Sequence, residues 1–451
     1  MLEKESVRVL GEALEKLDAG FASLPENSVQ PPGFERMAEV LSAAAEKLQD
    51  NFPYFHPLYA GQMLKPPHPV ARSAYALAQW INPNNHALDG GRASSEMEKE
   101  AVGQLARMFG WTEHLGHLTS GGTMANLEAL WVLGQLAPKK TILASEQAHY
   151  THKRISGVLG LPFEAIPCDP RGRMDVNALE KRLAQGDVGA VVATIGTTAT
   201  GSVDPLKKIV DLCKKHHVLV HADAAYGGYF TLAGNLTGET RDAFDCLGES
   251  HSIVIDPHKH GLQPYGCGCV IFHDSGVGRL YKHESPYTYF TSNELHLGEI
   301  SLECSRAGAS AVALWSTQKL LPLVRNGEFA NGLESCREAA LDLHRRLRGD
   351  RRFITAFPPE LDIVVFGFRA TSVSEASVLT RKAFDAAAKR NLHLAIAELP
   401  TEFFAADLSG MKRDRPTLTC LRSVLMKPEH REWVGRIWAI LDEATREAVS
   451  S

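Results

Sequence analysis

The stretch VIDPHKHGLQPYG, residues 254–266, places Lys259 between two histidines, His258 and His260, directly after a short apolar run. Pro257, Gly261, Pro264 and Gly266 make it a turn and not a helix. A lysine held there is partly desolvated, and a desolvated amine is a nucleophile toward carbonyl groups. HADAAYGG (221–228) carries Asp223 at the end of another apolar run. A carboxylate in that position must meet a cation or a donor, and Ala222, Ala224 and Ala225 leave room for something flat beside it. TSGGTMAN (119–126) reads as a strand end, two glycines and a helix start. The backbone N–H groups of Gly121 and Gly122, with the Thr123 hydroxyl, would cradle a phosphate. Its spacing is neither that of a P-loop nor that of a dinucleotide-binding turn. SEQAHYTHKR supplies His149, and TIGTTATGS supplies Thr197 and Thr198.

Each of these five segments follows a strand-like run. HLGHLTS, KTILASE, FEAIPC, GAVVATIG, HVLVHADAA and SIVIDP read as strands, with helices such as TMANLEALWVLGQL and DPLKKIVDLCKKHH between them. Such alternation predicts α/β architecture with a mainly parallel, doubly wound sheet, whose ligands bind at the carboxyl ends of the strands. We expect an N-terminal helical arm and linker over 1–85, a large domain over 86–325, and a smaller C-terminal α/β domain over 326–451. The arm includes an amphipathic helix near 33–51, with an extended loop over 55–69. The 451 residues are 44% apolar and 22% charged, with a net charge of −5. That composition argues against a nucleic-acid or anionic-membrane partner. No run reaches the roughly 18 apolar residues that span a bilayer, and the N-terminus lacks a signal-peptide core, so a cytoplasmic enzyme is expected. The eight cysteines include no C-x-x-C pair. Cys267 and Cys269 read as buried thiols, and no metal site is expected.

A Schiff-base lysine, a carboxylate for a ring nitrogen and a phosphate cradle are the three handles of pyridoxal 5′-phosphate. On HADAAYGG followed by DPHK, with TSGGTMAN and QAH upstream, the chain resembles the group II pyridoxal-phosphate-dependent amino-acid decarboxylases of fold type I. These include the aromatic amino-acid, tyrosine and glutamate decarboxylases. The resemblance implies that Lys259 forms the internal aldimine and that Asp223 pairs with the pyridine nitrogen. It implies that His149 lies over the ring and that Ala225 lies against it. Gly121, Gly122, Thr123 and His258 would bind the phosphate, and Thr197 or Thr198 would sit near the ring substituents. Many members have Asn where this chain has Asp256 and an aromatic residue at His260, so Asp256 is not assigned to the phosphate.

The resemblance also implies a catalytic-loop tyrosine that protonates the substrate carbon. Tyr289 is the first candidate and Tyr287 the second. Asn85, His86 and Ser94 match segments that line the family's substrate pocket, and Arg306 would pair with an anionic group of substrate or cofactor. A homodimer with active sites at its interface is expected. The expected reaction releases CO2 and an amine from an L-amino acid, with a slight preference for an aromatic one from the Phe55, Tyr59 and Trp80 region. A carbon–carbon lyase of the sphingosine-phosphate type remains open, as does an aminotransferase using Arg422 for the substrate carboxylate. A desulfurase or a non-catalytic relative is less favoured.

Overall fold

The computed structural model describes residues 3–25, 33–282 and 300–450. Four helices come first: α1 (Lys4–Ala19), α2 (Phe34–Leu48), α3 (Pro69–Gln79) and α4 (Arg92–Met108). Alternation then begins with β1 (Leu115–Thr119), α5 (Gly122–Leu136), β2 (Thr141–Ser145), α6 (Thr151–Leu159) and β3 (Phe163–Ile166). It continues through α7 (Val176–Leu183), β4 (Val188–Thr194), α8 (Leu206–His216) and β5 (Leu219–Asp223). After α9 (Gly238–Asp245) come β6 (Ser252–Ile255) and β7 (Gly268–Phe272).

These strands form one sheet in the order β1-β7-β6-β5-β4-β2-β3. The pairings β3–β2, β2–β4, β4–β5 and β5–β6 are parallel. β7 alone runs against the rest, pairing antiparallel with both β6 and β1. A mainly parallel sheet is therefore what the sequence encodes, and β7 is the strand that carries Cys269. Every residue of β4, VGAVVAT, is buried. Helices cover both faces of such a strand, which is why it is continuously apolar and does not alternate.

The chain continues through α10 (Gly308–Leu320), α11 (Glu328–Gly349), β8 (Phe353–Thr355), β9 (Ile363–Phe368) and α12 (Val373–Ala388). It closes with β10 (Ala395–Pro400), β11 (Thr417–Val424) and α13 (His430–Ser450). The last four strands make an antiparallel sheet, β10-β11-β9-β8. Ser372 caps α12, its Oγ accepting from the Glu375 N–H at 3.2 Å, and so starts that helix where the sequence demands. α11, α12 and α13 pack their apolar stripes on this sheet around Phe366, Leu343 and Ile437. The main core lies under the large sheet and runs on to Leu399, Leu418 and Cys420 of the second sheet. Cys267 and Cys269 are buried free thiols, the second on the apolar strand β7 and the first just before it. No residue of α1 or α2 is buried.

Candidate active site

β1, β2, β4, β5 and β6 run in one direction, so their carboxyl ends share one edge of the sheet. The five loops picked out in the sequence converge there on a cavity of about 310 Å³. Each wall follows from its strand. After β1, Gly121 adopts φ +156°, a backbone conformation open essentially to glycine, and turns the chain into α5. A Cβ at Gly122 would lie 2.6 Å from Asp256 Oδ2, so the helix start approaches that carboxylate as only glycine permits. α5 has no side-chain cap, and the N–H groups of its first turn have no partner within the helix. They open toward the cavity, with Thr123 and His258 on its wall.

After β5, Asp223 is 5% exposed. Its Oδ1 accepts from the Ala225 N–H at 3.2 Å, and its Oδ2 lies 2.7 Å from His152 Nε2. Burial pushes this carboxyl up, but the hydrogen bond to His152 and the surrounding positive charge outweigh burial and hold it well below the usual carboxylate range. His221, two residues back, is pushed down to about 3 by burial and is a neutral spacer. It bonds Asn126 Oδ1 and Ser252 Oγ, each at 2.8 Å. His149, after β2, sits against Thr151, whose Oγ1 is 2.8 Å from His149 Nδ1. Burial lowers the His149 pKa and favours the neutral ring.

After β6, Lys259 Nζ lies 3.0 Å from Asp256 Oδ2. The Lys259 N–H donates to the Asp256 carbonyl at 2.9 Å, closing the turn that the sequence predicts. Asp256 also faces His258 Nε2 at 3.4 Å, and its Oδ1 has no hydrogen-bond partner among the described residues. The extra carboxylate is thus balanced by the lysine beside it.

The family model for the pyridoxal-dependent decarboxylase conserved domain matches residues 128–369, more than half of the chain. The chain belongs to the pyridoxal-dependent decarboxylases. A Methanothermobacter thermautotrophicus relative named "Probable L-tyrosine/L-aspartate decarboxylase" is 31% identical over 324 residues, covering 70% of this chain and 84% of the relative. The L-tyrosine decarboxylase of Enterococcus faecium is 27% identical, over 78% of this chain and 76% of its own. Among solved structures, Oryza sativa TDC with PLP and tryptamine superposes with a TM-score of 0.78 at 17% identity, covering 99% of both chains, and shares the fold. This decarboxylase is a pyridoxal-phosphate-dependent carboxy-lyase acting on an amino acid. These relatives favour the decarboxylase reading over the carbon–carbon lyase and the aminotransferase. Arg422, the residue the latter would need, is 6% exposed on β11, donates to Gln62 Oε1 at 3.1 Å and is not among the residues lining the cavity.

The residues present fit the cofactor. The decarboxylase offers an amine at Lys259, a buried ionised carboxylate at Asp223, an uncapped helix start at Gly122 and a flat wall at Ala225. Lys259, Asp223, His149, Gly121, Gly122, Thr123, Ala225 and His258 all line this one cavity. Thr197 does not. Its hydroxyl lies 2.8 Å from Thr200 Oγ1 inside the loop, and Thr198 faces the cavity instead. The backbone of the loop turns between the two threonines, so only one can face the site.

Asn85, Ser94 and Arg306 are also placed elsewhere. Asn85 Nδ2 donates to Glu98 Oε2 at 2.6 Å, and Ser94 Oγ bonds Asn85 Oδ1. Arg306 pairs with Glu98 and donates to the carbonyls of Leu118 (2.8 Å) and Asn85 (3.0 Å). This buried network ties α4 to β1 and to the segment before α10, and it engages both Nη atoms of Arg306. His86 packs against Gly90 in the same turn. Tyr287 and Tyr289 lie outside the described residues.

His152 was not foreseen. The signal available was its spacing, His149-x-x-His152 at a helix start just after a strand, which points both rings toward one edge.

Proposed function

We propose that this decarboxylase removes CO2 from an aromatic L-amino acid, tyrosine first, and that Lys259, Asp223, His149 and Tyr289 carry the reaction. The observation that supports the site is the convergence of an amine, a buried carboxylate, an imidazole and an uncapped helix start on one cavity. When bound, the cofactor supplies an electron sink for the pair left behind as the carboxylate departs. Lys259 would hold it covalently through Nζ, with Asp256 Oδ2, 3.0 Å away, placed to keep the amine's proton. Asp223, ionised and oriented by His152, would hold the ring nitrogen. Gly121, Gly122, Thr123 and His258 would hold the phosphate, and Ala225 and His149 would sandwich the ring. The neutral His149 would also face the substrate carboxylate and align the breaking bond with the ring. Tyr289 would deliver a proton to the substrate carbon.

The aromatic preference draws on the names of the tyrosine-acting relatives. It also draws on the cavity wall: among the described residues lining it, Lys259 is the one lysine or arginine, and the cofactor would engage its amine. A side-chain carboxylate would meet no further counter-charge there. We infer a homodimer as well, because α2 exposes Phe34, Met37, Val40, Leu41 and Leu48, a face that needs a cover. The division at about 85 and 325 is part of the same reading, as is a cytoplasmic location. Among the described residues no helix is long and apolar enough to cross a membrane. The test is CO2 release by the cofactor-loaded protein against the twenty L-amino acids and 2,4-diaminobutyrate. Release from tyrosine, tryptophan or phenylalanine is expected. Release from aspartate or glutamate alone would overturn the aromatic reading.

A further inference from the structure

A second cavity, of about 500 Å³, lies between the 55–69 linker, the start of α11 and the turn at 427–429. Two lysines reach it. Lys427 is 3% exposed; its Nζ donates to the Tyr59 carbonyl at 2.6 Å and lies 5.3 Å from the Tyr59 ring centre. Lys65 is half-buried and donates to the Met426 carbonyl at 3.3 Å. The lysine ion pairs formed among the described residues all belong to other lysines. His260 also lines this cavity and is 1% exposed. Its Nε2 faces Asp362 at 3.2 Å, while its Nδ1 has no hydrogen-bond partner among the described residues.

The acidic groups sit differently. Glu3, Glu328 and Glu429 line the cavity but are exposed, and Glu3 is paired with Arg72 at 3.0 Å. The interior therefore sets Lys65 and Lys427 against a single buried carboxylate, Asp362 behind His260, while the rim carries the three glutamates and Arg72. Leu262, Phe329 and Leu333 supply apolar wall. Burial, and then the neighbouring Lys65, push the Lys427 amine down to about 7. A desolvated ammonium without a counter-charge costs several kcal/mol, and an anion beside it removes that cost.

We propose that this cavity binds a small organic carboxylate, its anionic end between Lys65 and Lys427 and its apolar body against Leu262 and Leu333. A single negative charge suits the site better than two, because the acidic rim repels a dianion. The site shares a wall with the cofactor cavity. His260 follows Lys259 in the chain, and Asp362, which faces His260, also accepts from Tyr226 Oη at 2.6 Å. Tyr226 lines the first cavity.

Benzoate is the probe, since it has no amine to react with the cofactor, and benzamide is its neutral counterpart. Calorimetric titration of the cofactor-loaded protein should show benzoate binding at least about tenfold tighter than benzamide, a difference of about 1.4 kcal/mol. Lys65→Met and Lys427→Met should each weaken benzoate binding at least about tenfold, with the visible cofactor band unchanged. Lys65→Met leaves the Lys427–Tyr59 bond intact, so it decides the matter if Lys427→Met does not fold. No benzoate binding by the wild type, equal affinity for benzamide, or wild-type affinity in either folded variant overturns the proposal. The last result would place benzoate in the cofactor cavity.

Discussion

His152→Leu removes one hydrogen bond from a carboxylate that has only two described partners, His152 and the Ala225 N–H. A hydrogen bond to a charged group contributes about 1.5–3 kcal/mol. At about 1.4 kcal/mol per pH unit, its loss should raise the Asp223 carboxyl by about one to two units. The sign follows from the depressed starting point. A carboxyl held low gives up its charge only in strong acid, so the wild-type cofactor spectrum should show no Asp223-linked limb at ordinary pH. In the variant the limb should move upward, and the ring nitrogen should lose its partner as pH falls through it. At neutral pH Asp223 stays ionised in the variant, so any loss in kcat/KM there reads the lost orientation of the carboxylate and not its charge. His152→Asn restores a donor and should recover part of the shift. The assay is a pH titration of the visible cofactor band, with cofactor affinity by equilibrium dialysis and steady-state CO2 release. A His152→Leu protein with a wild-type titration midpoint would refute the idea that His152 sets the charge of Asp223.

Lys259→Ala should abolish both the visible cofactor band and turnover; a coloured, active variant would remove Lys259 from its role. Gly122→Ala puts a Cβ 2.6 Å from Asp256 Oδ2, and should weaken cofactor binding at least about tenfold as measured by dialysis. Tyr289→Phe should keep CO2 release but shift product from amine toward aldehyde by chromatography, because the carbanion lacks its acid. Arg306→Met leaves Glu98 buried without its cation, at a cost of about 3–5 kcal/mol. It should lower the melting temperature while leaving KM unchanged in the surviving folded protein, whereas a substrate-binding arginine would raise KM.

Much of the site was legible because a doubly wound sheet forces the loops after parallel strands onto one edge. Lys259, Asp223, His149 and the Gly121–Gly122 turn could be gathered before any coordinate was known, since each follows an apolar run. What escaped were choices made within or between elements. Thr197 and Thr198 are neighbours of the same type, and only the path of the backbone selects Thr198. Asn85, Ser94 and Arg306 have the chemistry of a pocket, yet they satisfy one another around Glu98 because α4 packs on β1. The bond from His152 to Asp223 spans 71 positions in the chain and exists only because β4 sets β2 and β5 at the right separation.

Thus the sequence alone determined the parallel sheet and the strand-end residues that gather at one cavity, because periodicity, turn chemistry and strand-end position are local properties, and its motifs carried the resemblance to the family and its cofactor. Tertiary structure decided which polar groups face the cavity, which are consumed in holding helices to strands, and which cations enclose the second cavity. Those outcomes depend on where a buried charge finds its partner, and partners distant in sequence are brought together only by packing.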